Sequence, residues 1–118
     1  MAAPNLYAIN SVEGISTADG CPTTLSTFLN NPALSGEVLR VNSLYIVNVQ
    51  SNNAAVDVVF RKNNNNIYLA YNNIVTPGST SVLITRETFI YLEEACSLLI
   101  KSSASGHLQY VLSYEKMS

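Results

Sequence analysis

Ala54-Ala55-Val56-Asp57-Val58-Val59-Phe60-Arg61, then Lys62, then Asn63-Asn64-Asn65-Asn66, then Ile67-Tyr68-Leu69-Ala70-Tyr71: the fold class follows from this stretch. Val56, Val58 and Phe60 alternate with Asp57 and Arg61, the period of two that places apolar side chains on one face of a strand. Four consecutive asparagines follow. Asn tolerates left-handed backbone and bonds its own main chain, so these residues predict the tip of a hairpin. Ile67, Leu69 and Tyr71 bring the chain back as a second strand.

Working outward, residues 36–50 are rich in β-branched and aromatic residues, which fit a pleated surface. Odd positions carry Leu39, Val41, Tyr45, Val47 and Val49, and even positions carry Val38, Leu44 and Ile46. Apolar residues at both parities predict a central strand, covered by the core on one side and by a loop or subunit on the other. Ser51-Asn52-Asn53 and Thr76-Pro77-Gly78-Ser79 read as turns. Residues 81–86 form a further strand with Val82 and Ile84 on its core side, and residues 88–92 continue extended. Glu93-Glu94-Ala95 reads as a tight corner before a strand carrying Leu98 and Ile100. After the small-residue turn 102–106, the last strand alternates Leu108, Tyr110, Leu112 and Tyr114 with Gln109, Val111 and Ser113.

The first third is less regular. Residues 6–10 and 14–17 suit short strands, and residues 22–31 are read as extended although Leu25, Phe28 and Leu29 have helical spacing. The expectation is a single all-β domain over residues 1–118, an antiparallel β-sandwich of jelly-roll type with about eight short strands. Residues 1–35 are expected to supply an N-terminal arm and edge strands. The expected core is Val56, Val58, Phe60, Val82, Ile84, Leu98, Ile100, Leu108, Tyr110, Leu112 and Tyr114.

Composition excludes several function classes. Of 118 residues, 47% are hydrophobic and only 12% charged, about half the usual charged share of roughly 25%. Asn, Ser and Thr supply the polarity, and neutral polar groups are cheaper to cover with a neighbouring subunit than ions are. The net charge is −2, and six basic residues are spread along the chain with one adjacent pair, Arg61-Lys62. No basic stripe faces a phosphate backbone, so no nucleic-acid partner is expected. No apolar run is long enough to span a bilayer, and the first residues lack a charged segment followed by an apolar one. No membrane partner is expected, and synthesis in a cytoplasm, with Cys21 and Cys96 as free thiols, is.

The inventory for catalysis is poor. His107 is the single histidine; a nucleophilic site would need it beside Cys96 and an orienting carboxylate such as Glu94. It opens a strand instead, and Cys96 lies in no recognisable nucleophile setting. Glu93 and Glu94 are adjacent on an extended chain, point to opposite sides and cannot flank one glycosidic bond. Five scattered glycines make no phosphate loop. Two distant cysteines and one histidine make no zinc site. No enzyme, cofactor or metal is expected. Carbohydrate binding is the main competitor, because seven tyrosines accompany many asparagines. Those tyrosines lie within strands rather than in one loop, which favours packing and subunit contact.

The opening Met1-Ala2-Ala3-Pro4-Asn5-Leu6-Tyr7, the segments Asn31-Pro32-Ala33 and Val41-Asn42-Ser43-Leu44-Tyr45-Ile46-Val47-Asn48-Val49, Ile90-Tyr91-Leu92-Glu93-Glu94, and the ending Leu108-Gln109-Tyr110-Val111-Leu112-Ser113-Tyr114-Glu115 together resemble small structural proteins of marine tailed phages, particularly cyanophages. The likeness runs through most of the chain in order, although each segment is short and strand-like. Where that pattern carries a Gly-Asp turn, this chain has Ala95-Cys96. The resemblance implies a virion component assembled in the bacterial host cytoplasm, first of all a head decoration or cement protein. The alternative is a neck, tail or fibre component, as a receptor- or carbohydrate-binding module. The implied partners are the major capsid protein or neck and tail proteins, with further copies of the chain, as a trimer.

Overall fold

The computed structural model describes residues 10–118, and in it the chain is built of nine strands and one short 3-10 turn. They are β1 (Val12–Gly20), β2 (Ser26–Asn31), β3 (Val38–Asn48), β4 (Ala54–Lys62), β5 (Asn65–Val75), β6 (Thr80–Ile84), β7 (Ile90–Leu92), β8 (Cys96–Ser102) and β9 (Leu108–Met117). The expected strand at residues 6–10 lies, but for Asn10, outside the described residues.

The Asn tip organises everything else. Asn63 and Asn64 take φ of 54° and 62°, the left-handed pair that a two-residue hairpin turn requires. From that tip the antiparallel pairs β4/β5, β3/β6, β2/β8 and β1/β9 nest one outside the next. Folding this ribbon over on itself puts alternate pairs in opposite sheets. One sheet has the order β1-β9-β3-β6, with β7 also on β3; the other is β2-β8-β4-β5. This is a jelly-roll sandwich, in which successive strands cross between layers and bury one face each.

The core between the sheets contains Val56, Val58, Ile84, Leu98, Ile100, Leu108, Tyr110 and Leu112, all buried. Phe60 and Tyr114 are half-buried against it. Val82 is a correction: it is 49% exposed. The pairing of β6 with β3 skips Leu83, since Ile84 faces Leu44 but Val82 faces Tyr45. This bulge resets the alternation, so two residues two apart point to opposite faces.

A second bulge, at Asn42, explains the apolar residues at both parities of β3. Leu39 and Val41 face the core before it, Leu44 and Ile46 after it, and the ladder to β9 shifts between Val41 and Ser43. The strand is central, as expected. Beyond the bulge its other face is not covered: Tyr45 and Val49 are exposed. A third departure is at Arg86–Thr88, a 3-10 turn where the spacing predicts extended chain. Thr85 and Thr88 cap it reciprocally, each side chain accepting from the other's backbone N–H.

Ala95 forms the corner before β8 with φ of 65°, a region where a Cβ is strained. Ala95→Gly is therefore expected to raise stability by about 1 kcal/mol, read as an increased urea midpoint with an unchanged slope. A decrease would mean that the corner is held by the methyl group's packing.

Candidate interaction surfaces

The side chains that chemistry would need are kept apart. β8 alone, running from Cys96 to Ser102, separates Cys96 from the end of the sandwich where His107 lies, a span of about 20 Å. The His107 ring is held by the Ser105 carbonyl at 3.0 Å. Glu93 pairs with Lys62 at 3.8 Å, while Glu94 accepts from the Gly36 N–H at 3.4 Å. Among the described residues, no three His, Cys, Asp or Glu side chains stand close enough to share a metal ion.

Cys21 and Cys96 are both free and buried. Burial pushes the Cys21 thiol up from 9.0 to about 12, with a further push from the Asp19 carboxylate. Burial also raises Cys96, partly offset by Lys62. Because the folded state holds Cys21 protonated, its contribution is whole below the unfolded value of 9.0 and is lost as pH rises towards 12. The wild-type urea midpoint is expected to fall across pH 9–11 more steeply than that of Cys21→Ala. Parallel slopes would show that Cys21 ionises as freely folded as unfolded.

Shallow depressions of about 310–370 Å³ mark the surface of the described residues. The most structured is the notch where the sandwich opens between β1 and β2, with Phe28 edge-on to Tyr110 at 5.0 Å and Asp19 at its rim. Burial, then Asp19 and Cys21, raise the Tyr110 hydroxyl above its usual value.

The unusual feature is apolar area facing outward. Across the outer face of the β1-β9-β3-β6 sheet, Ala18, Val111, Tyr45 and Val82 stand in one cross-strand row. Tyr45, Val82 and Val111 are each 41–49% exposed. Farther along β3, the Arg40 guanidinium lies 4.2 Å over the Phe89 ring, and Phe89 meets Tyr91 edge-on. On the other sheet the apolar area lies along edge strand β5, where Ile67, Tyr68, Leu69, Tyr71 and Ile74 are all exposed. Tyr68 and Tyr71 meet edge-on, at 77° and 4.9 Å.

Two buried asparagines hold the frame for these surfaces. Asn31 donates to the carbonyls of Glu37 and Leu92 and accepts from the Ser35 hydroxyl. Asn48 donates to the carbonyls of Asn52 and Val75 and accepts from the Gln50 N–H. Sequence reasoning misses both, because Asn in a strand pattern reads as an outward position. The available signal is their parity: Asn48 continues the inward set Leu44, Ile46.

No protein-family model matches the chain, and no curated protein matches it. Among solved structures it is similar to a protein of Bacillus endospore appendages, described as a novel family of disulfide-linked pili. The TM-score is 0.54 at 11% identity, over 100% of this chain and 90% of that one. It is also similar to VP2 in the subviral particle of infectious bursal disease virus, with TM-score 0.50 at 16% identity. That match takes in 91% of this chain but 32% of VP2, so the chain spans about a third of the capsid protein's length. At such identities the likeness is one of fold: a jelly-roll sandwich shared with proteins from a pilus and a viral capsid.

Proposed function

We propose that this is a non-enzymatic structural protein of a tailed-phage particle, a head decoration protein that attaches to the major capsid protein and to copies of itself. The observation that carries this reading is the outward apolar row Ala18, Val111, Tyr45 and Val82 on a chain with so little charge. Exposed apolar rows on a rigid sheet mark surfaces that a partner covers. The resemblance to marine phage structural proteins and the sandwich fold point the same way. A trimer built through this sheet face would bury the row.

Quantitative mass spectrometry of washed phage particles tests the reading. The chain is expected in a copy number close to that of the capsid lattice; a ring's worth of copies would move it to the neck or tail, and absence would overturn the proposal. Tyr45→Lys and Val82→Lys are expected to leave the unfolding midpoint unchanged while the protein fails to enter particles. Glycan-array binding with normal particle entry of both variants would favour a receptor-binding role.

A further inference from the structure

The Arg40 guanidinium is held in place and left without an anion. The Phe89 ring covers it at 4.2 Å, and Tyr91 meets Phe89 edge-on at 5.3 Å, which fixes that ring. Among the described residues no acceptor bonds the guanidinium, and its Nε is shut away from water. Its direct neighbour on β9 is Glu115. Asn42, the bulged residue, takes that carboxylate instead, donating to Glu115 Oε1 at 2.8 Å. A planar guanidinium stacked on a ring, with donors to spare, is organised in advance to take a carboxylate in two parallel bonds.

Few carboxylates are available to it. Of the eight acidic residues, Glu13 and Glu87 alone accept no hydrogen bond and join no ion pair among the described residues. Glu87 lies on the 3-10 turn two residues before Phe89, at Arg40's own end of the sheet, and does not bond it. Glu13 lies on β1, at the opposite edge. By register Glu13, Ile15 and Thr17 share the face of Lys116, Tyr114 and Leu112, the face turned towards the second sheet. Yet Glu13 and Thr17 are exposed and Ile15 is half-buried, so β1 overhangs the second sheet with its inner face uncovered.

The two charges stand at one level of the sheet. Glu13 is opposite Lys116, and Lys116 is opposite Leu39, the residue before Arg40. The pairing of β1 with β9 is regular throughout, and the shift at Asn42 comes after this level. A ring of copies about an axis parallel to the strands preserves level, so Glu13 of one copy meets Arg40 of the next. Such a contact joins two different patches, and a heterologous contact of that kind closes into a ring.

We infer that the uncovered inner face of β1 packs on the outer face of a second copy at Arg40, head to tail around a ring of three, with the Glu13 carboxylate on the Arg40 guanidinium and Ile15 against the Phe89 ring. The inference rests on the particle-building reading and supplies the contact for its trimer. The covered surface is continuous, along β3, with the outward row through Tyr45.

Exchanging the two charges tests it, read by sedimentation of the purified full-length protein. Wild type is expected to run at three times 12.8 kDa. Glu13→Arg, on a strand exposed on both faces, is expected to weaken association by at least about tenfold, because it sets two cations against each other, while the urea midpoint stays unchanged. Arg40→Glu is expected to weaken it as much, and the chain carrying both Glu13→Arg and Arg40→Glu to form trimers again. Should Arg40→Glu lower the urea midpoint, Arg40→Gln takes its place, with the same expected loss of association. An unchanged mass for Glu13→Arg would overturn the contact, as would a doubly substituted chain that stays apart. Wild type at one or two times 12.8 kDa at every concentration would overturn it as well. Trimers of a chain absent from phage particles would leave the contact standing and remove the proposed function. A chain that enters particles without forming trimers would do the opposite.

Discussion

Leu112→Ala is expected to cost about 2–5 kcal/mol of folding stability, a large share of the roughly 5–15 kcal/mol that a domain has in total. Leu112 is fully buried in β9, between Thr17 of β1 and Leu44 of β3. Both flanking strands are hydrogen-bonded along most of their length, so neither can move inward to fill the cavity. On the opposite face of the same strand, Gln109 is exposed, and Gln109→Ala is expected to cost less than about 0.5 kcal/mol. Urea denaturation of the two variants side by side measures the difference. Equal losses would mean that β9 is buried on both faces, and a harmless Leu112→Ala would mean that its register is displaced by one residue.

Asn48→Ala is expected to cost about 3 kcal/mol or more, the second large effect. Asn48 is completely buried at the end of β3, and its amide is the partner of two carbonyls, Asn52 at 2.8 Å and Val75 at 2.9 Å. Its Oδ1 accepts from the Gln50 N–H at 2.9 Å. Truncation leaves three backbone groups short of a partner, and the Val75 carbonyl among them is buried away from water. Because the amide joins the turn after β3 to the end of β5, the same change is expected to speed amide exchange at Gln50 and around Val75. Asn48→Asp keeps the shape but turns both donors into acceptors facing carbonyls, and is expected to cost at least as much. Asn52→Ala is the control: its backbone carbonyl remains, so its effect is expected to stay under about 0.5 kcal/mol. If Asn48→Ala matched Asn52→Ala, the buried amide would not be holding the two segments together.

These two residues also divide what local sequence dictates from what it does not. Leu112 was legible at once, because an uninterrupted period of two on β9 admits a single inward face, and burial makes any other register costly. The same reasoning placed Val56 and Val58, Leu98 and Ile100, and found the Asn63-Asn64 tip whose φ values demand residues tolerant of the left-handed region. It read the corner at Ala95. Asn48 was not legible: its burial depends on three carbonyl and amide groups from segments up to 27 residues away.

Bulges caused the other misses. Alternation identifies a face only while the ladder is regular. One inserted residue at Asn42 made a single inward face look like two, and one at Leu83 turned Val82 outward while leaving Ile84 in the core. A bulge is a compromise between the twists of two strands, so the partner decides it and the strand's own residues do not. The surfaces follow the same division. Local sequence determined that this protein is all-β, weakly charged and rich in tyrosine. Only the tertiary structure decided which apolar residues the two sheets consume and which remain outside, on the row through Tyr45 and along β5, because a sandwich buries one face of each sheet and the nesting order of the ribbon selects the edges.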